Sequence, residues 1–299
     1  MGLTTKLTRF RVALCQCQSV QGDYNFDPRP DNLEKAIKKI KEAASGGAKL
    51  AVFGECYLQG YFSYEHFTKC ATTINPPDDH IIRLVQSCKE NNIFVIMGMV
   101  TRTQNFPEGL FNSSILLGPE GIVGSYSKVH LPSWVGTGPG GAKISVIEKS
   151  CYNPGVEIPV FDSVLGKVGI QICYDIWFPE VTRVQTLKGA QLIVISSASV
   201  SPFEENWDVL MRARAMENQA WTVMGSVVGK SEDGQNLFGG SRIIDPTGKE
   251  LARARDNVEE VVIAEVDYGI ARELREKSHY FYDRNPKLYD EITKALGRS

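Results

Sequence analysis

The chain has 299 residues, 42% of them hydrophobic and 23% charged, the balance of an ordinary globular protein with ample material for a large core. Its 33 basic and 35 acidic residues leave a net charge of −2, and nothing in it suggests the clustered basic excess of a nucleic-acid binder. No stretch approaches the roughly 20 apolar residues of a membrane span, and Met1–Phe10 lacks the apolar centre of a signal peptide, so a cytoplasmic protein with no membrane partner is expected. Phe10–Gln16 reads as a buried strand. Asp31–Ser45 has helical periodicity through Leu33, Ile37, Ile40 and Ala44 and stops at Gly46-Gly47. Leu50–Phe53 is a short apolar strand, His80–Asn91 a second amphipathic helix, and Ile93–Val100 another buried strand. Asn112–Leu117 and Ile122–Val129 flank a hairpin turn at Pro119-Glu120-Gly121. Pro159–Val164 and Lys167–Cys173 flank a second turn at Leu165-Gly166.

Further along, Phe178–Lys188 and Glu204–Gln219 read as helices and Leu192–Ser197 as a strand between them. Trp221–Val228, Leu237–Asp245 and Val261–Asp267 are strands, followed by a short helix and an aromatic-studded polar tail, Ser278–Tyr289. Alternation of strands and helices with hairpins between them implies an α/β protein of two mixed sheets covered by helices. No linker divides the chain, so residues 1–270 are expected to form one domain and 271–299 a C-terminal tail. Trp134–Ala142 is Gly-rich but has the spacing of neither a P-loop nor a dinucleotide fingerprint, and is read as a mobile loop.

Seven cysteines stand at 15, 17, 56, 70, 88, 151 and 173, odd in number and without a C-x-x-C pair. They are taken as reduced thiols, and neither a metal nor any other cofactor is expected. Cys15 and Cys17 share one strand face and read as core. Cys173 differs: it ends the apolar run Lys167–Cys173 just before the helix opening at Phe178-Pro179-Glu180. Ligands meet α/β proteins at the carboxyl ends of strands, and a helix N-terminus nearby would lower the thiol pKa. A nucleophilic thiol needs a base. His66 and His80 lie in or beside helices and His279 in the tail, which leaves His130 as the histidine candidate. Glu55, directly after Leu50–Phe53, is the carboxylate candidate, and Lys128 closes a further strand.

Three segments then carry a resemblance. Gly54-Glu55, Tyr126–Pro132 (YSKVHLP) and Gly169–Glu180 (GIQICYDIWFPE) resemble, in order, the signature regions of the nitrilase superfamily of carbon–nitrogen hydrolases; Arg212–Asn218 (RARAMEN) resembles a family helix beyond them. The resemblance implies a four-layer αββα sandwich and a Glu-Lys-Cys triad at Glu55, Lys128 and Cys173. It adds Glu148, ahead of Tyr152-Asn153-Pro154-Gly155, as a second active-site glutamate. Tyr174, Trp177 and His130 are the candidates for oxyanion and substrate contacts. The expected activity is cleavage of a non-peptide C–N bond in a small amide or N-carbamoyl compound. Nitrile hydrolysis or acyl transfer on the same triad is the alternative, and an inactive interaction protein the reading from another class. Ile176 and Trp177 stand where hydrolases of N-carbamoyl-D-amino acids carry tandem arginines, which disfavours an anionic substrate; Arg183, Arg212 and Arg214 are the cations that could still reach the site. Family resemblance and the aromatic tail together imply a homodimer or homotetramer with the tail at the subunit interface.

Overall fold

Strand β1 (Arg9–Gln16) shows how the sequence sorts itself into layers. Successive side chains of a strand point to opposite faces, and Val12 and Leu14 enter one apolar cluster while Ala13 and Cys15 enter another. All four are fully buried, so the strand has a covered face on each side. The computed structural model describes residues 6–23, 25–61, 64–103, 106–137, 143–231 and 234–295, and of 64–66, 106–108 and 143–145 the backbone alone.

The first half of the chain continues with α1 (Arg29–Ser45), β2 (Ala48–Val52), α2 (Tyr64–Cys70), β3 (Thr72–Thr73), α3 (Asp79–Asn91), β4 (Phe94–Thr103), β5 (Phe106–Gly118) and β6 (Gly121–Ser127). The hairpin β7 (Ser133–Thr137) and β8 (Lys143–Ile147) follows, then the short α4 (Glu148–Cys151). The second half holds β9 (Val160–Ser163), β10 (Gly166–Ile172), α5 (Pro179–Leu187), β11 (Leu192–Ser197), α6 (Glu204–Asn218) and β12 (Trp221–Ser226). After these come β13 (Val228–Lys230), β14 (Asn236–Phe238), β15 (Arg242–Ile244), β16 (Glu250–Arg253), β17 (Glu260–Asp267) and α7 (Tyr268–Lys277).

One sheet has the order β17-β1-β2-β4-β5-β6, with β3 added beside β4; the other has the order β16-β15-β12-β11-β10-β9. Their facing sides meet in a cluster of Val12, Leu14, Leu50, Val52 and Ile96 against Val168, Ile170, Leu192, Val194 and Val223. On the outside of the first sheet, α1 buries Leu33, Ala36, Ile40 and Ala43 and α3 buries Ile81, Leu84 and Cys88. On the outside of the second, α6 sets Trp207, Met211 and Ala215 on Ile193, Ile195 and Met224. The fold is therefore the expected αββα sandwich, and each fully buried Val, Leu, Ile or Met side chain contributes about 1.5–3 kcal/mol of burial. All seven cysteines are free thiols, with Cys15 and Cys17 in the core. No helix among the described residues is long and apolar enough to cross a membrane.

Several elements depart from expectation. Trp134–Ala142 is not a featureless loop: β7 and β8 pair from Ser133 opposite Ile147 to Thr137 opposite Lys143, and only its tip, 138–142, lies outside the described residues. Leu237–Asp245 is not one strand, because Gly239 and Gly240 take φ of +79° and +65° and separate β14 from β15. The tail does not leave its own chain entirely. Phe281 lies against the guanidinium groups of Arg183 and Arg275, at 5.3 and 5.2 Å from its ring centre.

Candidate active site

The turn after β2 is packed close to β4. Gly98 donates its N–H to the carbonyl of Gly54 at 3.1 Å. A Cβ at Gly98 would lie 2.4 Å from that carbonyl oxygen and 2.6 Å from Cα of Glu55, so only glycine lets the two backbones approach this closely. The turn drives Glu55 into the space between the sheets, where its carboxylate is fully buried. One oxygen, Oε1, accepts from Asn112 Nδ2 and from Lys128 Nζ, both at 2.7 Å; the other, Oε2, accepts from the backbone N–H of Ala198 at 3.0 Å.

Lys128 follows β6, and its own N–H donates to the carbonyl of Asn112 at 2.8 Å. Its ammonium is wholly buried and also lies 2.8 Å from the carboxylate of Glu148, the first residue of α4. Tyr61 donates its hydroxyl to Glu148 Oε1 at 2.7 Å. Burial alone would lower the Lys128 pKa, but the carboxylates of Glu148 and Glu55 outweigh it and hold it well above its ordinary value. Glu148 is also raised: burial and the neighbouring Glu55, opposed by Lys128, push it up to about 7.

Cys173 closes β10 and opens a 3-10 turn, Cys173–Trp177, that leads into α5. Its φ of +43° is left-handed, a conformation a non-glycine residue adopts at a cost of about 1–3 kcal/mol when the surroundings impose it. The surroundings here are Asp175 and Arg214. Asp175, fully buried, accepts from Ile172 N–H at 3.1 Å and the Tyr126 hydroxyl at 2.7 Å through Oδ2, and from His130 N–H at 3.1 Å through Oδ1. Arg214 Nε donates to the carbonyl of Ile176 at 3.0 Å. The thiol pKa is raised, not lowered as helix proximity suggested. Burial is the largest cause, with Glu55 and Glu148 adding to it and Lys128 and a hydrogen bond with Ser197 opposing. Burial and the two carboxylates thus favour the thiol over the thiolate.

Cys173 and Glu148 stand in one cavity of about 350 Å³ together with Tyr174 and Trp177. His130 is not among its described lining. Its ring stacks on Phe178 at 3.7 Å, and its Nδ1 lies 3.0 Å from Asp175. The family model for carbon–nitrogen hydrolases matches residues 11–276. The chain belongs to that family. This carbon–nitrogen hydrolase acts on bonds other than peptide bonds. It is 32% identical over 286 residues to the omega-amidase NIT2 of Xenopus tropicalis, covering 95% of the chain and 98% of the relative. It is 33% identical over 266 residues to a nitrilase of Pyrococcus abyssi, covering 87% and 94%. Among solved structures it superposes with a TM-score of 0.78 and 26% identity on Nit3 of Saccharomyces cerevisiae, covering 90% of this chain and 94% of that one. That protein is described as a member of branch 10 of the nitrilase superfamily.

The cluster also contains groups that sequence reasoning did not single out. Asn112 carried a signal, a polar amide that with Ser113 and Ser114 interrupts the apolar residues of β5. Asp175 lay inside a quoted motif without a role. The N–H of Ala198 and the hydroxyls of Tyr61 and Ser197 carried none, since each reaches the site only through the docking of separate elements. The three arginines near Cys173 in sequence all have partners outside the cavity lining. Arg183 donates to the Glu217 carbonyl at 2.6 Å, Arg212 to Asp208 at 3.1 Å, and Arg214 to Ile176 and Glu217.

Proposed function

We propose that the chain hydrolyses a small amide or N-carbamoyl compound through a thioester on Cys173, with Glu55 as general base, Lys128 as oxyanion stabiliser and Glu148 as the second carboxylate that fixes Lys128. The observation that supports this reading is geometric: a buried Glu55 carboxylate with three donors, a Lys128 ammonium held between it and Glu148, and Cys173 in one cavity with Glu148. A sulfur that rests protonated must lose its proton as it attacks, and a base is needed at that moment. Glu55 takes the thiol proton as the S–C bond forms. The C–N bond then breaks while Glu55 returns the proton to the departing ammonia or amine. Water attacks the thioester with Glu55 again as base, and the thiol is regenerated. Charge develops on the carbonyl oxygen in both halves, where the Lys128 ammonium and the Tyr174 N–H supply donors; loss of one such donor typically costs about 10²–10³ in rate. Trp177 forms part of the substrate wall. His130 acts at one remove, holding Asp175 and through it the turn that carries Cys173.

Mass spectrometry of the intact protein quenched during turnover of a primary amide tests this. The expected result is an adduct of the acyl mass on the peptide containing Cys173, with ammonia released in step, and neither in Cys173→Ala. Turnover by Cys173→Ala, or an adduct at Cys151 in place of Cys173, would sink the reading.

A further inference from the structure

The cavity next to Cys173 has one apolar wall, made of Trp134 from β7, Trp177 from the 3-10 turn, Phe203 before α6, and Trp207, Val200 and Leu237; uncharged polar side chains such as Ser199 and Gln235 complete it beside Glu148. The Phe203 ring is met edge-on by both indoles, at 6.1 Å from Trp134 and 6.3 Å from Trp177. Offset and edge-to-face rings of this kind make a preformed apolar surface whose shape is set before a ligand arrives. The one charged side chain among the described lining residues is Glu148, already committed to Lys128 and Tyr61. No lysine or arginine is among them, and Arg183, Arg212 and Arg214 have partners elsewhere.

We propose that the non-reacting body of the substrate is uncharged and apolar, an aromatic ring or branched hydrocarbon seated between Trp134, Trp177 and Phe203. This rests on the amide-hydrolase function proposed for Cys173. A carboxylate placed in the cavity would surrender its hydration and find no cation among the described lining residues in return. A flat hydrocarbon gains the indole and phenyl faces and displaces water from them. The volume of about 350 Å³ accommodates a group the size of phenylacetamide. β7 is part of the machinery, since Trp134 brings the hairpin edge over the pocket as one wall.

Two measurements separate this inference from the function on which it rests. Calorimetric titration of Cys173→Ala with phenylacetamide and with succinamate reads the cavity without any chemistry. The expected outcome is binding of phenylacetamide tighter by about 100-fold, the scale on which apolar pockets and unpaired charges discriminate. Equal or tighter binding of succinamate overturns the inference, even where the wild-type protein hydrolyses both. Hydrolysis by the wild-type protein reads the function: phenylacetamide bound but never cleaved overturns the function and leaves the selectivity of the cavity supported. In a second arm, Trp177→Arg places a guanidinium at the cavity wall. It is expected to move the kcat/KM ratio toward succinamate by about tenfold or more. An unchanged ratio in a folded variant counts against the proposed seat.

Discussion

Lys128→Met keeps the length of the side chain and removes its charge, leaving the buried carboxylates of Glu55 and Glu148 on either side of the vacated ammonium position. The wild-type ammonium is 2.7 Å from one and 2.8 Å from the other, and neither the lysine nor Glu55 has measurable exposure in its side chain. Deleting one partner of such a buried cluster costs about 3–5 kcal/mol, because the remaining charges cannot recover water. The loss has a definite pH dependence. Glu148 titrates near 7 with Lys128 present, against an ordinary 4.5, and loses its attractive partner in the variant, so its folded pKa rises further. A carboxyl whose folded pKa exceeds its unfolded value binds more protons when folded across the interval between the two. Stability therefore falls as pH rises through that window and levels off above it. Urea denaturation of both proteins at pH 5 and pH 8, followed by tryptophan fluorescence, gives the comparison. The destabilisation should be clearly larger at pH 8 than at pH 5. A variant as stable as the wild type at pH 8, or more heavily penalised at pH 5, would refute this account of the ammonium as the cation that holds two buried carboxylates.

The other expectations concern the base, the elbow and the assembly. Glu55→Gln should lose about 10³-fold or more in kcat, whereas His130→Asn should lose less than about tenfold; the reverse order in steady-state assays would favour a cysteine–histidine pair. Asp175→Asn should lower unfolding free energy by about 2–3 kcal/mol, as a buried acceptor of charge-assisted bonds is weakened. Its kcat should fall more than its KM rises if the turn bearing Cys173 loosens, and unchanged kcat would detach Asp175 from the nucleophile. We propose that residues 271–299 form part of a homo-oligomer interface, because Tyr280, Tyr282, Leu288 and Ile292 are 57%, 86%, 75% and 61% exposed in the single chain. Light scattering at micromolar concentration should report at least twice the chain mass of 33.1 kDa, and a clean monomer would dispose of it.

The core strands were legible because each carries its pattern within itself: β1, β2, β4, β10 and β11 are short apolar runs bounded by turn residues. The hairpin of β7 and β8 was not, because Trp134-Val135-Gly136 and Lys143-Ile144-Ser145 show no alternation strong enough to announce pairing across a glycine-rich gap. β15 and β16 were blurred for a related reason: a glycine pair stands just before the first, and the second has only four residues. In the site, Glu55, Lys128 and Cys173 stood out because each closes an apolar strand. The partners that tune them come from distant chain positions, as with the Ala198 N–H 143 residues from Glu55, and no local pattern marks a backbone amide as a hydrogen-bond donor to a carboxylate. The direction of the Cys173 shift was likewise out of reach, since it depends on enclosure between layers and not on the neighbouring helix.

The clustered charges straddle a seam. Glu55 and Lys128 leave strands of one sheet, whereas Cys173 and the amide of Ala198 leave strands of the other, and at Gly225 the two come so close that a Cβ would meet the backbone oxygens of Val52 and Phe53 at 2.9 and 3.0 Å. Moreover, the sheet bearing Glu55 is completed by β17, which runs back from the far end of the chain to pair with β1 along eight residues, Arg9 opposite Asp267 through Gln16 opposite Glu260. A chain emerging from the ribosome thus has Glu55, Lys128, Glu148 and Cys173 in hand once Ala198 has appeared, yet its first strand still presents an open edge. Chemistry and closure are separated by some sixty residues of synthesis. A premature stop before Glu260 would accordingly produce a polypeptide with all its reactive groups and a bare, adhesive β-edge, a candidate for aggregation in place of catalysis.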